Sequence, residues 1–157
     1  FSAHSVRRKY LAVVWGCPKS KKATIQGLIG RSPKNRKKMA VLKRDGKFAR
    51  THYNVLDTTD DVISLLECRL ETGRTHQIRV HMASIGHSIV GDLVYGRHRK
   101  ISALVDSKVA DRLGSIKRQL LHAKTLGFTH PITQRPLEFY SDKVLEIEEL
   151  FPSFENH

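Results

Sequence analysis

Residues 72–81 read TGRTHQIRVH, which places two arginines and two histidines in ten positions between runs of ordinary core residues. Arg74 precedes the predicted start of a helix, where the macrodipole is already positive and a cation is unfavourable by up to about 1 kcal/mol. Arg79 lies one turn further along, beside apolar positions, where a guanidinium must be paired and its planar fork suits a carboxylate. The stretch therefore predicts a nearby anion: a ligand on a metal, a carboxylate of the protein or a phosphate of a partner.

The local signals around this stretch predict a short helix. Gly73 ends the preceding strand, Thr75 is a candidate N-cap, and Gly86 terminates a helix over residues 76–85. The apolar residues that recur at the spacing of a core-facing stripe are Ile78, Met82 and Ile85.

Outward from the helix, the pattern is that of an antiparallel sheet. The β-branched and aromatic run YLAVVWG at residues 10–16 predicts a central strand. Segments 49–56 and 62–71, joined by a short polar turn, predict a hairpin, and one face of its second strand carries Val62, Ser64, Leu66, Cys68 and Leu70. Further strands are predicted at residues 23–31, 39–42 and 91–96 and in a closing pair at 119–130 and 135–141, and helices at 102–113 and after Ser141. The predicted fold class is α+β, a mostly antiparallel mixed sheet with flanking helices.

Positive charge is concentrated in the first third of the chain. Residues 1–50 hold 15 of the 28 lysines and arginines and one acid, Asp45, whereas the remainder is nearly neutral. Such a segment would repel itself without a polyanion, so nucleic acid is the favoured partner. An anionic membrane surface is the weaker alternative, because no amphipathic helix with bulky apolar anchors accompanies the charge.

Other site classes fit the sequence poorly. His76, His81 and His87 are spaced five and six apart, which is not the spacing of metal ligands on one helical face, so no metal site is predicted. No G-x-S-x-G nucleophile elbow is present, and the clustered acids lie in a turn or on a polar helix face. Cys17 and Cys68 lack a C-x-x-C arrangement and indicate a reducing compartment. With no apolar run of about 20 residues and no signal-peptide core, a cytoplasmic protein without membrane association is expected.

The segment LETGRTHQIRVHMASIGHSIVGDLVYG, residues 70–96, resembles the signature of the RluA-type RNA pseudouridine synthases. Four further segments fit the same family in the same order, so the resemblance covers nearly the whole chain: residues 7–16, 39–56, 120–131 and 136–141. The branch that modifies the large ribosomal subunit is nearest, judging from RSPKNRKKMAV at residues 31–41. Ribosomal RNA is therefore the favoured partner, and transfer RNA is the alternative.

The resemblance implies a cofactor-free isomerase that flips a uridine out of RNA, detaches the base and rejoins it through carbon, with an aspartate as the catalytic residue. It implies that Arg79 pairs with that aspartate, that Tyr10 lies against the flipped base, and that Leu121 forms an apolar wall. Arg74 and His76 belong to the same motif, and an RNA-facing or scaffold role is inferred for them. The basic first third adds six RNA-binding candidates: Arg7, Arg8, Lys9, Arg36, Lys37 and Lys38.

One departure from the family pattern affects activity. The family's aspartate lies in an H-R-L-D-type motif upstream of the tyrosine motif, and none of the eight aspartates here has that context; Asp92 is expected to be structural. Residues 1–157 are therefore expected to be the C-terminal portion of the catalytic domain, inactive alone and dependent on an upstream segment of the same protein. The alternatives are a non-catalytic RNA-binding module that reuses the fold and, less favoured, a basic ribosome-associated protein.

Overall fold

A computed structural model describes residues 6–96, 107–129, 136–140, 145–152 and 154. The strands are β1 (Val6–Trp15), β2 (Lys22–Arg31), β3 (Met39–Leu42), β4 (Lys47–Thr59), β5 (Ile63–Leu70), β6 (Leu121–Thr129) and β7 (Pro136–Tyr140). The helices are α1 (Gln77–Ser84), α2 (Ser107–Ser115) and α3 (Leu145–Leu150). The α+β class with a mostly antiparallel sheet is confirmed.

The seven strands form one sheet in the order β3-β2-β4-β5-β1-β6-β7, and every adjacent pair is antiparallel. β1 is an interior strand, as its apolar sequence predicts, and the β4–β5 and β6–β7 hairpins are confirmed. β2 spans ten residues and matches the strand predicted at residues 23–31 to within one residue.

Both faces of the central strands are covered, because α1 packs on one side and α2 and α3 on the other. The first side holds what we call the α1 cluster, whose buried members are Ala12, Val14, Tyr53, Leu66, Cys68, Ile78, Met82 and Ile89. The opposite side holds Leu11, Val13 and Trp15 of β1 with apolar residues of α2 and α3. Ile63 and Leu65 are consequently as fully buried as Ser64 and Leu66, so β5 buries both faces at this end rather than alternating between core and solvent.

Helix α1 departs from the prediction at its start and along its stripe. His76 adopts a left-handed conformation (φ 55°) without a side-chain cap, so Thr75 is not the N-cap and the helix begins at Gln77. Gly86, at φ 84°, ends the helix as predicted, and its N–H bonds to the carbonyl of Ala83. Ile85 is 37 % exposed and lies outside the core, because the helix has already ended at Ser84.

Residues 91–96 form turns, which corrects the strand expected there; an isolated bridge to β1 lies just before them, between Val14 and Ile89. The predicted start of α2 and the predicted cap at Ser141 lie outside the described residues. No helix in the described part of the chain is long and apolar enough to cross a membrane.

Candidate functional site

Gln77 fixes the loop that precedes α1. This side chain is 2 % exposed and donates from Nε2 to the carbonyl of Arg50 (3.0 Å) and to the hydroxyl oxygen of Thr51 (2.9 Å). Its Oε1 accepts from the Thr72 hydroxyl (2.8 Å) and from the backbone N–H of Arg74 (3.0 Å). One buried amide thus ties the loop to β4 with all of its main hydrogen-bonding directions in use.

The two histidines of the motif are not cationic at neutral pH. His81 is fully buried beside Thr51 (Nδ1 to Oγ1, 2.8 Å), and burial lowers its pKa below the ordinary value. The pKa of His76 is also lowered, first by partial burial and then by the charge of Arg79, and its Nδ1 lies 2.8 Å from the hydroxyl of Tyr95. The charge of the motif is therefore carried by Arg74 and Arg79.

Arg79 is already paired within the chain. Its Nε donates to Oδ2 of Asp92 at 2.9 Å and its Nη2 to Oδ1 at 3.0 Å, and its Cζ lies 4.9 Å from the centre of the Tyr95 ring. The carboxylate that Arg79 binds in this structure belongs to this chain, because the turn at residues 91–96 supplies Asp92; the expected pairing with an aspartate outside this chain stays a prediction. Nη1 donates no hydrogen bond to any described residue.

Asp92 is structural, as expected, because its carboxylate is fully enclosed. Oδ1 also accepts the backbone N–H groups of Val94 (3.0 Å) and Tyr95 (3.1 Å). Burial alone would raise the pKa of Asp92, but the hydrogen bonds from Arg79 and these two amides outweigh it, so the pKa is lowered. The same bond raises the pKa of Arg79. Both members are charged at neutral pH, with side-chain exposures of 0 % for Asp92 and 12 % for Arg79.

Tyr10 and Leu121 meet on the α1 cluster. Both are partly buried and pack against it, Tyr10 from β1 and Leu121 from β6, next to Ile78 of α1. The hydroxyl of Tyr10 has no hydrogen-bond partner among the described residues. The structure therefore brings two of the three predicted catalytic residues to one apolar surface, whereas Arg79, the neighbour of Ile78, is turned to Asp92 and Tyr95.

The consecutive basic residues before Tyr10 separate onto two faces. Arg8 pairs across β1–β5 with Leu70, which packs against the α1 cluster, so Arg8 shares the side of Tyr10. Lys9 is exposed on the opposite side, opposite Arg69. The side chain of Arg7 is outside the described part.

Arg8 and Gly73 approach closely, a contact that the sequence analysis missed. A Cβ built on Gly73 would overlap Nη1 of Arg8 and lie 3.0 Å from its Cζ. Only glycine leaves the Arg8 guanidinium in this position. The sequence signal for this contact was the glycine between a strand and the start of a helix, which was interpreted as the end of the strand.

Two adjoining clefts near β2 and β3 are strongly basic. They have volumes of about 330 and 550 Å³ and share Arg31 and Asp45. Lys47 and Arg74 line the first, where Nε of Arg74 donates to the carbonyl of Phe48 at 2.8 Å, and the second is lined by Arg36, Lys43 and Arg44. Lys37 and Lys38 belong to the same β2–β3 loop as Arg36. Neither cleft is lined by Tyr10, Arg79 or Leu121.

Within the described ranges, no three histidine, cysteine, aspartate or glutamate side chains are grouped so that they could hold a metal ion. Both cysteines are free thiols. Cys17 is exposed, whereas burial raises the pKa of Cys68 to about 12.

Comparisons with known proteins agree with this geometry. A family model described as RNA pseudouridylate synthase matches residues 1–84. The chain is 44 % identical over 152 residues to ribosomal large subunit pseudouridine synthase D of Zymomonas mobilis subsp. mobilis, covering 96 % of this chain and 46 % of that protein. It is 47 % identical over 136 residues to the protein of that name in Xanthomonas campestris pv. campestris, covering 87 % and 40 %. The chain thus spans less than half the length of these relatives.

A solved structure, human RNA pseudouridylate synthase domain containing 1, superimposes with a TM-score of 0.71 at 29 % identity, covering 90 % of this chain and 59 % of that one. Human RNA pseudouridylate synthase domain containing 4 has a TM-score of 0.68 at 23 % identity, covering 92 % and 62 %, and supports the fold alone.

Proposed function

Because this chain belongs to the RNA pseudouridylate synthase family, we propose that it forms the C-terminal part of a catalytic domain that isomerises uridines of large-subunit ribosomal RNA to pseudouridine. The observation that carries the proposal is the joint position of Tyr10 and Leu121 on the α1 cluster, with the Tyr10 hydroxyl free of hydrogen bonds to described residues. An aromatic ring and an aliphatic wall suit a flipped base, which is held by stacking and by contacts to its edge.

The catalytic carboxylate is proposed to come from a segment that carries the H-R-L-D-type motif. The enclosure of Asp92 supports this, because Arg79 and two backbone amides already donate hydrogen bonds to its oxygens and keep the carboxylate deprotonated. Arg79 keeps Nη1 for a second carboxylate, and a guanidinium can bridge two such groups because its five N–H donors form a rigid fork. In this proposal Arg79 anchors both the structural and the catalytic aspartate.

The basic clefts support RNA as the substrate. Arg31, Arg36, Lys43, Arg44, Lys47 and Arg74 line them together with one acid, Asp45. Phosphates would replace the missing counter-charges, so affinity for RNA should fall steeply with salt. Ribosomal RNA is favoured by the names of the relatives, transfer RNA is the alternative, and the cytoplasmic location remains a prediction.

The test is tritium release from RNA labelled at C5 of uridine. A protein that joins this chain to the aspartate-bearing segment should release tritium from large-subunit ribosomal RNA, and the 157-residue chain should release none. Arg79→Lys in the longer protein should lower the rate by on the order of 10²-fold with RNA binding retained, since lysine lacks the fork. Arg69→Lys, on the exposed opposite face, is the control. Release by the chain alone, or none from any RNA by the longer protein, would contradict the proposal.

A further inference from the structure

Arg8 is a partly buried cation without a counter-charge among the residues that the structure describes. Its side chain lies against the backbone of Gly73, and it forms no hydrogen bond or ion pair with any residue that the structure describes. A guanidinium removed from water in this way is favourable only if an anion takes the place of the lost solvent.

Glu71, which follows the strand partner of Arg8, and Asp92 of the buried ion pair are both bound to other residues. Glu71, two residues before Gly73, is bound by His52 and lies 3.5 Å from Nη1 of Arg50. Both of those side chains lie on β4, where His52 is opposite Arg69 on the side of the sheet away from Tyr10. Asp92 is enclosed by Arg79 and backbone amides. Within the described ranges, no carboxylate is therefore available to Arg8.

The distance between Arg8 and Tyr10 suits a nucleotide that spans the two side chains. It is two residues from Tyr10 on the same side of β1, a separation of about 6.5 Å along a strand. The loop above it bears a second cation, Arg74, and leads into the positive end of α1. A base held against Tyr10 carries its phosphate within one nucleotide's length, which matches this distance.

We infer that Arg8, seated under Gly73, binds the backbone phosphate of the nucleotide whose base lies against Tyr10. This rests on the proposed function and adds to it a phosphate contact beside Tyr10, made by an arginine that lines neither basic cleft, although Gly73 lines the first. A glycine at position 73 is then required because a Cβ there would overlap Nη1 of Arg8. The role of Arg8 is to bind and position; no step of the reaction is assigned to it.

The test is the salt dependence of affinity between the 157-residue chain and the single-stranded pentamer of uridylate. Arg8→Ala should bind on the order of tenfold more weakly at low salt. The slope of log affinity against log salt should fall by about 0.7, the value for one phosphate of a single strand. Arg8→Lys keeps the charge without the fork, so it should retain most of the slope and lose affinity.

Gly73→Ala offers a second approach without deleting the arginine. Gly73 has no left-handed φ, so alanine is strained only by its contact with Arg8. It should reproduce the effect of Arg8→Ala, and in an Arg8→Ala background it should cause no further loss. Arg69→Ala removes the same charge from an exposed position on the opposite face of the sheet and should leave the slope unchanged. Thermal melting confirms that each variant is folded.

Three outcomes would overturn the inference. An unchanged slope in folded Arg8→Ala would show that Arg8 binds no phosphate, and loss of activity with RNA binding intact in the longer protein would instead indicate a protein carboxylate as its partner. An equal loss in Arg69→Ala would reduce the effect to general charge. If the unmodified chain binds no RNA at all, the RNA part of the proposed function fails as well, which distinguishes the two failures.

Discussion

Arg79 and Arg8 lie on the same side of the sheet, yet their surroundings differ. Arg79 donates hydrogen bonds to both carboxylate oxygens of Asp92, and its Cζ lies over the Tyr95 ring. Arg8 rests against Gly73 without a counter-charge among the described residues. A paired cation contributes mainly to holding the turn at residues 91–96 against α1, whereas an unpaired one is available to a ligand. Arg79 therefore stabilises the site, whereas Arg8 is the arginine that we infer binds the substrate.

Removing the Asp92 carboxylate should lower the free energy of unfolding more than any other change proposed here. Asp92→Asn leaves Arg79 charged and 12 % exposed without its partner, so the free energy of unfolding should fall by about 3–5 kcal/mol. Urea denaturation at pH 7 measures this. Asp61→Asn is the control, since Asp61 is exposed and asparagine tolerates its left-handed backbone. A loss below about 1 kcal/mol would mean that the pair contributes little to stability.

Removing the Gln77 amide, which ties the loop before α1 to β4, should have an intermediate effect on the free energy of unfolding. Gln77→Ala leaves the Arg50 carbonyl, the Thr51 and Thr72 hydroxyls and the Arg74 amide without this partner, at an expected cost of about 2–3 kcal/mol in unfolding free energy. Gln26→Ala, whose exposed amide oxygen accepts one bond from Arg50, should cost less than about 0.5 kcal/mol. Equal losses of unfolding free energy in the two variants would contradict the role of Gln77 in fixing the loop before α1.

Acidification should lower the stability of the folded chain through His81. Because burial lowers its pKa in the folded state, the unfolded chain takes up the proton first as pH falls below about 6.5, and stability falls with it. The free energy of unfolding should therefore be lower at pH 5.5 than at pH 8. His81→Gln should flatten this dependence, and His76→Gln, at an exposed position, should remove the smaller share. Asp92 contributes its own loss only below about pH 4. A profile that stays steep in His81→Gln would contradict this account.

The sequence predicted features that depend on neighbouring residues. The alternation in residues 62–70 identified the hairpin, and Gly86 identified the end of α1. The start of the helix was wrong because His76, not Thr75, occupies its boundary in a left-handed conformation, and its ring contacts Tyr95, nineteen residues away.

Contacts between distant segments account for what was missed in the site. The motif resemblance selected Tyr10, Leu121 and Arg79, but the partner of Arg79 depends on how the turn at residues 91–96 folds back over α1. The contact between Arg8 and Gly73 likewise joins β1 to a loop that follows β5. Patterns of periodicity and capping carry no information about such approaches.

The division between an arginine that stabilises and an arginine that binds is tested most directly by measuring folded stability and the RNA salt slope together in Arg8→Ala. We expect an unfolding free energy within about 1 kcal/mol of the unmodified chain and a slope lower by about 0.7. A variant destabilised as much as Asp92→Asn, with its RNA slope intact, would show that Arg8 is a structural residue like Arg79.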